Sequence, residues 1–347
     1  MLKDYVQKVA QGQDLTVAEM TSAMDIITEG KGTDALVAAL LTGLAIKGEC
    51  PGELLGGAQV LRRKALPLDL GNIQAVDTCG TGGDGFHTIN ISTASMFVAA
   101  GAGVPVVKHG NRSVSSQCGS ADVLEELGIH IDLEPTAVRT TLRELGLGFL
   151  FAPTYHQAMK YVMPVRRQLA MRTIFNLLGP LSNPAGVQGQ VLGVYDAKLL
   201  RPFTQVLRAL GVNHALVVNG RNGMDELSLS GETTVCQLKD DKVHTFVVRP
   251  EDLGLKSAPV STLRGGDKVE NATHILELLS GKQGPMRDFL LLNSAAAIYV
   301  GGKAKDLQEG VTLARLSIDS GSALQKLQAF AQRTKELSHD PRPNCTK

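Results

Sequence analysis

The chain has 347 residues, enough for one large domain or, as we expect, two packed lobes. Its 35 Lys and Arg against 34 Asp and Glu leave a formal net charge of +1, which argues against a large nucleic-acid or anionic-membrane interface. No stretch approaches the roughly 20 apolar residues of a membrane span, and polar sequence near the N-terminus excludes a signal-peptide core. Five scattered cysteines without a Cys-x-x-Cys pair argue against a disulfide framework or structural zinc, so we expect a cytoplasmic protein.

The first part of the chain predicts a small helical domain, residues 1–70. Thr16 and Glu19 have the spacing of a capping box, and Gly30 follows as a stop signal. A third segment, residues 53–64, begins after Pro51. Between Gly30 and Pro51, residues 33–47 predict another helix, which ends at Gly48. Its apolar residues have helical spacing: Leu36, Val37, Leu40, Leu41 and Leu44.

From residue 73 onward, short apolar runs alternate with helical stretches. This alternation predicts an α/β domain, residues 71–345, with a mostly parallel central sheet flanked by helices. The expected strands are 74–77, 104–107, 190–195 and 215–218, with helices at 92–100, 121–127 and 198–209 between them. An antiparallel pair, 233–238 and 243–248, precedes four terminal helices at 266–279, 286–300, 305–318 and 321–334. We expect the polar tail, residues 338–347, to be frayed.

A glycine loop, residues 77–85, follows the first predicted strand. It reads Asp77-Thr-Cys-Gly-Thr-Gly-Gly-Asp-Gly85, and four glycines in six residues permit positive φ and let backbone N–H groups converge on an anion. The next residues, 90–93, begin a helix whose N-terminus also suits phosphate. The alternative to an anion site is a purely structural role, a tight turn followed by a helix cap. The loop matches neither the Walker nor the dinucleotide pattern.

A lysine segment, residues 108–116, follows the second expected strand. Ligands of open α/β sheets bind beyond the carboxyl ends of strands, so this segment and the glycine loop should border one crevice. Lys108 offers a positive charge there. Arg112 could contact phosphate or form a structural ion pair, and His109 fits a hydrogen-bonded wall residue better than a catalyst.

Two further segments could complete a site. An acidic loop, residues 223–228, carries Asp225 and Glu226, the kind of carboxylates that hold Mg²⁺ on substrate phosphates, although such a pair alone is usually solvated surface. An arginine segment, residues 163–185, carries Arg166 and Arg167, which could recognise a carboxylate or form a solvated helix face.

Taken in order, these segments resemble the anthranilate phosphoribosyltransferase family of tryptophan biosynthesis over nearly the whole chain. The motifs that carry the resemblance are Asp-Thr-Cys-Gly-Thr-Gly-Gly-Asp-Gly, Lys-His-Gly-Asn-Arg and Phe-Asn-Leu-Leu-Gly-Pro-Leu-Ser-Asn-Pro. The resemblance implies a magnesium-dependent transferase with phosphoribosyl pyrophosphate and anthranilate as substrates. It also implies homodimers joined through the helical domain, which a segment near 165–185 completes.

The resemblance further implies residue roles. Lys108 and Asp84 would be catalytic, Ser92, Asp225 and Glu226 would coordinate magnesium, and Gly80, Asn111 and Arg166 would position anthranilate. Phosphoribosyl pyrophosphate would be held by Gly80, Gly83, Asp84, Thr88, Asn90, Ile91, Ser92, Thr93, Lys108, His109, Gly110, Asn111, Arg112, Ser113, Val114, Ser115, Ser116 and Ser120.

Three positions depart from the family pattern near the expected acceptor entry. Tyr155 replaces a histidine, Gln157 a proline and Ala170 a glycine. These departures concern the anthranilate side of the site, whereas every proposed phosphate and metal position is intact.

Two other functional classes stay open at this level. A pyrimidine nucleoside phosphorylase shares the fold and works at a ribosyl anomeric carbon, but its loop and lysine motifs differ and it needs no acidic pair. A non-enzymatic nucleic-acid-binding relative should have lost phosphate or metal residues and gained a basic surface, and this chain has done neither. A scaffold role would leave the co-occurrence of the three motifs without a reason.

Overall fold

The computed structural model describes residues 1–113 and 117–338. Four helices form its first part: α1 Leu2–Ala10, α2 Val17–Thr28, α3 Asp34–Lys47 and α4 Pro51–Lys64. The capping box predicted for α2 is present, since Thr16 Oγ1 accepts the Glu19 N–H at 3.2 Å and Glu19 Oε2 accepts the Thr16 N–H at 2.8 Å. The helical N-terminal part is therefore confirmed.

The central sheet has seven strands in the order β3-β2-β1-β4-β5-β6-β7. Strands β1 to β5 are parallel, and β6 and β7 are antiparallel to their neighbours, which confirms the predicted α/β class. The strands are β1 Val76–Gly80, β2 Val106–Gly110, β3 Leu147–Phe151, β4 Gly189–Gly193, β5 His214–Gly220, β6 Thr233–Lys239 and β7 Lys242–Val248. Because parallel strands end at one edge, the segments after β1, β2, β4 and β5 meet there.

The remaining helices connect and cover the strands. The four predicted terminal helices are confirmed, with ends that differ from prediction by at most four residues. The helices are α5 Ile91–Gly101, α6 Ser120–Glu126, α7 Pro135–Leu145, α8 Ala152–Tyr155, α9 Met163–Leu169, α10 Ile174–Leu178, α11 Leu200–Ala209, α12 Lys268–Leu279, α13 Pro285–Val300, α14 Leu307–Asp319 and α15 Ser322–Ser338. None of the described helices is both long and apolar enough to cross a membrane.

Alternate residues of the strands pack against different layers. On one face, Val76, Val191 and Leu216 join the core formed with α5 and α13. On the other face, Leu192 and Val217 join the core that contains α1–α4, α11 and residues 162–181. The arginine segment is thus built into the same core as the N-terminal helices, and this brings it to the strand ends on the crevice side.

Neither β3 nor α7 was expected from the sequence. β3 pairs with β2 in parallel register, Val106 opposite Leu147, and forms the sheet edge. Its five residues, Leu-Gly-Phe-Leu-Phe, follow α7 after a single glycine and show no polar alternation. A short apolar run of this kind cannot be distinguished from the end of a buried helix by periodicity.

Candidate active site

The glycine loop leaves β1 and turns through residues with left-handed backbone. Gly82 and Gly83 have φ of +69° and +75°, a region that only glycine occupies without strain. Asp84 Oδ1 accepts the N–H of Phe86 at 3.1 Å and closes the turn. The N–H groups of residues 83–85 donate to no acceptor within residues 1–113 and 117–338. The loop therefore offers a set of backbone donors suited to an anion.

The acidic loop lies directly against the glycine loop. Asp225 Oδ2 accepts the N–H of Gly82 at 2.6 Å, and the Asp225 N–H donates to Asp84 Oδ2 at 3.4 Å. Two glycines make this approach possible, because a Cβ on Gly80 would overlap the Asp225 carboxylate and one on Gly193 would overlap its carbonyl oxygen. Residues 141 positions apart in the chain are thereby neighbours, as the sequence analysis required.

Burial and mutual repulsion perturb these carboxylates. Burial, and secondarily the charge of Asp84, raise the pKa of Asp225 to about 7. The pKa of Glu226 also lies well above its usual value because of burial and the nearby Asp225, with Lys108 opposing the shift. Carboxylate oxygens are the ligands that Mg²⁺ prefers, and a cation bound here would offset the repulsion and favour the ionised carboxylates. The donor set therefore fits Mg²⁺.

Lys108 is a buried cation beneath the start of α5. Its side chain is only 2% exposed, and Nζ donates to the Thr78 carbonyl and, at 3.2 Å, to Ser92 Oγ. Thr78 Oγ1 in turn donates to the Ser92 carbonyl at 2.9 Å. These contacts link β1, β2 and the helix N-terminus, so the positive charge is held in place behind the glycine loop.

Behind Lys108 lies a buried carboxylate to which the sequence analysis gave no role. Asp77 accepts the backbone N–H of His109 at 3.3 Å and Nδ2 of Asn183 at 2.8 Å. Burial raises the pKa of Asp77, whereas the charge of Lys108 lowers it. Asp77 and Asn183 both lie within the motifs that carry the resemblance, but no local signal indicated that one would bind the other.

Other residues near the start of α5 differ in what they can offer. Asn90 is fixed by its backbone N–H, which donates to Asn271 Oδ1 at 3.0 Å, and by Nδ2, which donates to the Cys118 carbonyl. Thr88 forms an antiparallel bridge with Arg264. Ile91 is a core residue, and the buried Oγ1 of Thr93 has no partner among the described residues.

The lysine segment continues past the end of β2. His109 is half-buried with its Nε2 atom enclosed, its ring lies edge-on to His156 with centroids 4.9 Å apart, and desolvation lowers its pKa well below the usual value. The ring is therefore neutral, in keeping with a wall residue. Gly110 is required because a Cβ there would overlap Ser120 Oγ, which donates to the Asn111 carbonyl at 3.3 Å.

Of the two roles expected for Arg112, phosphate contact or a structural ion pair, the structure shows the ion pair. Its guanidinium pairs with Asp122 at 3.2 Å and with Glu125. The neighbouring Ser113 N–H donates to Asp122 Oδ2 at 3.0 Å. The predicted contacts of Val114, Ser115 and Ser116 lie outside the described residues.

The arginine segment contributes two cations of different character. Arg166 in α9 is half-buried over the Phe175 ring, 5.5 Å from its centroid, and burial lowers its pKa. Arg172 is exposed, donates to the Gly83 carbonyl and lies over the Tyr195 ring at 4.2 Å. Arg172 therefore brings this segment against the glycine loop, a contact that the sequence analysis missed because nothing local distinguishes it from a surface arginine.

The three departures from the family pattern have different structural settings. Tyr155 is 1% exposed and packs among Leu68, Val107 and Leu150, so it is a core residue. Gln157 is exposed. Ala170 ends α9 with φ +47° and ψ +31°, a left-handed conformation in which glycine would be unstrained.

Comparisons with known proteins agree with this architecture. Residues 3–65 match the helical bundle domain and residues 72–324 the a/b domain of the glycosyl transferase family. The chain is 52% identical over 338 residues to the anthranilate phosphoribosyltransferase of Symbiobacterium thermophilum, covering 97% of this chain and 98% of that protein. It is 50% identical to the enzyme of Clostridium kluyveri, covering 94% and 97%.

Solved structures give the same result. The anthranilate phosphoribosyltransferase of Thermus thermophilus superposes with a TM-score of 0.90 at 42% identity, covering 96% of this chain and 99% of that chain. The Saccharomyces cerevisiae enzyme in complex with PRPP and Mg superposes with a TM-score of 0.88 at 28% identity, covering 96% and 98%.

Proposed function

The chain belongs to the anthranilate phosphoribosyltransferase family, and from this membership we infer that it transfers the phosphoribosyl group of phosphoribosyl pyrophosphate to the amine of anthranilate. The products are N-(5-phosphoribosyl)anthranilate and pyrophosphate, in tryptophan biosynthesis. The enzyme is a pentosyl-transferring glycosyltransferase, and its cofactor is Mg²⁺.

The donor substrate binds along the glycine loop and the N-terminus of α5. Gly80, Gly83 and Asp84 present backbone around the diphosphate, and the N–H groups of residues 83–85 are available for its oxygens. Residues 108–116 and Ser120, with Thr88 and residues 90–93, complete this half of the site. Arg112 and Ile91 act through their backbone, because their side chains are occupied by ion pairs and by the core.

The acidic loop holds the cation. Asp225, Glu226 and Ser92 are the proposed ligands, with Asp84 beside them. When bound, Mg²⁺ neutralises charge on the diphosphate oxygens and orients the leaving group.

The reaction is governed by charge and position rather than by a general base. The amine of anthranilate is an aniline, uncharged at neutral pH, so it attacks without prior loss of a proton. Departure of pyrophosphate is the difficult event, and Lys108 stabilises the negative charge that collects on it as the ribosyl carbon gains oxocarbenium character. Burial keeps the pKa of His109 far below neutral, and this enclosed imidazole does not supply a base.

The acceptor lies on the arginine-segment side. Arg166 offers a planar donor pair to the anthranilate carboxylate, with Asn111 and the backbone of Gly80 near it. The burial that lowers the pKa of Arg166 favours a bound carboxylate, because an opposite charge offsets the desolvation of the guanidinium. Closure of the two lobes aligns nitrogen and anomeric carbon and excludes water.

The organisation around this site has three proposed parts. A helical domain, residues 1–70 completed by residues 165–185, packs on an α/β domain, residues 71–345; the core that residues 162–181 share with α1–α4 supports this completion. The protein is a homodimer joined through the helical domain, where Ile46 on α3 is 81% exposed. Its location is the cytoplasm, in keeping with the odd and scattered cysteines.

The observation that carries the assignment is the contact between Gly82 and Asp225, which joins the anion loop to the metal carboxylates. The test is to mix the protein with anthranilate, phosphoribosyl pyrophosphate and Mg²⁺ and to follow the loss of anthranilate fluorescence. A loss of anthranilate fluorescence that requires the protein, phosphoribosyl pyrophosphate and Mg²⁺ supports the proposal. Phosphorolysis of uridine or thymidine without transferase activity would identify a nucleoside phosphorylase, and a salt-dependent gel shift alone would identify a nucleic-acid-binding relative.

A further inference from the structure

Arg172 lies where three separate stretches of the chain meet at the site. Its guanidinium donates to the Gly83 carbonyl and covers the Tyr195 ring, which follows β4. Gly83 has φ of +75° and lacks a Cβ, which would otherwise push the guanidinium away. Within the described part of the chain, no carboxylate lies at ion-pair distance from Arg172. The backbone carbonyl is therefore its main polar partner.

This contact determines which way the peptide between Gly83 and Asp84 faces. The described chain contains no cis peptide, and the C=O and N–H of a trans peptide point in opposite directions. Because the Gly83 carbonyl is turned toward Arg172, the Asp84 N–H is turned away from it. Gly83, on one side of this peptide, has φ of +75° and no side chain, so it opposes rotation of the peptide little.

Peptide orientation matters because an anion is attracted by N–H groups and repelled by carbonyl oxygens. We propose that Arg172 is a positioning residue for the diphosphate of the donor substrate: it holds the Gly83 carbonyl outward and keeps the Asp84 N–H free for phosphate oxygens. Tyr195 holds the guanidinium through a cation–π contact, 4.2 Å from the ring centroid. This inference rests on the proposed transferase function.

The role also connects the two halves of the site. Arg172 follows α9, which packs against α3 of the helical part, whereas Gly83 follows the central strand β1. A contact from the acceptor side thus presets the backbone on the donor side. Arg172 itself need not touch either substrate.

The experiment compares Arg172→Met, Arg172→Lys and Tyr195→Leu with Arg315→Ala, an exposed arginine on α14, as the matched control. Binding of phosphoribosyl pyrophosphate with Mg²⁺, of pyrophosphate with Mg²⁺ and of anthranilate is measured by calorimetry. Arg172→Met should weaken both diphosphate ligands about 10-fold, as expected for one charge-assisted hydrogen bond. Anthranilate affinity should change less than about threefold, and Arg172→Lys should recover part of the loss because an ammonium can still donate to the carbonyl.

A double variant separates positioning from general stability. If Tyr195 acts only by holding Arg172, adding Tyr195→Leu to Arg172→Met should cause no further loss of diphosphate affinity. Diphosphate affinity within about twofold of wild type in Arg172→Met would overturn the proposal, as would equal weakening of anthranilate with a lowered Tm, or independent, additive losses. Failure of the transferase assignment is distinguishable, because the wild-type protein itself would then not bind phosphoribosyl pyrophosphate.

Discussion

Replacing Asp225 with Asn should stabilise the metal-free protein while abolishing most of its activity. The substitution keeps the shape and an oxygen that can accept the Gly82 N–H, but it removes one buried negative charge next to Asp84. The pKa of Asp225 is raised from 3.8 to about 7, chiefly by burial, and each unit corresponds to about 1.36 kcal/mol. The charged side chain therefore costs on the order of 4 kcal/mol of stability when it is fully ionised.

The sign of the pH dependence follows from the raised pKa. Between about pH 4 and 7 the folded metal-free protein binds more protons at Asp225 than the unfolded chain does, so the wild type loses stability as pH rises through this window. The Asn variant lacks this loss. Its advantage over the wild type should be small at about pH 4.5 and greatest at about pH 8, where chemical denaturation in the presence of EDTA measures it directly.

Activity should change in the opposite direction, because the same charge is required to hold Mg²⁺. We expect Asp225→Asn to reduce magnesium-dependent turnover about 100-fold, and Asp225→Ala combined with Glu226→Ala to reduce it by at least ~100-fold. Asp252→Asn, at an exposed position, is the matched control. Equal stability of variant and wild type at about pH 8, or turnover within a few-fold of wild type, would refute the reasoning.

Three further predictions concern other parts of the site. Gly193→Ala should abolish magnesium-dependent turnover, because the added Cβ overlaps the Asp225 carbonyl and displaces the acidic loop; turnover within a few-fold of wild type would contradict this. Ala170→Gly should raise the free energy of unfolding by about 1 kcal/mol by relieving its left-handed backbone, seen as a higher denaturation midpoint. Burial lowers the pKa of His156 from 6.5 to about 4. The neutral imidazole therefore contributes to the free energy of unfolding above pH 6.5, and this contribution is lost as pH falls toward 4. His156→Gln should therefore lessen the acid-side slope by up to about 1.4 kcal/mol per pH unit, and an unchanged slope would exclude this cause.

Some features are determined by local sequence because their physics is local. The capping box at the start of α2 involves only Thr16 and Glu19, three residues apart. The successive glycines at 82 and 83 likewise permit positive φ without any distant contact. The order of the motifs indicated the family and its reaction. The strand-helix alternation also predicted a parallel sheet, and with it the rule that segments after the strands share one edge.

Other features depend on contacts between distant residues, which local sequence cannot specify. An Asp-Glu pair at 225–226 is typical of solvated surface until β5 lies beside β4 and β1, where Gly80 and Gly193 leave room for it. The same holds for Arg112, whose partners are Asp122 and Glu125, and for Tyr155, whose burial among Leu68 and Val107 separates it from an open surface. Strand order determines which side chains meet, and burial then shifts their pKa values. The sequence alone determined which chemical groups are present. Only the tertiary structure determined the distances between them and the dielectric around them.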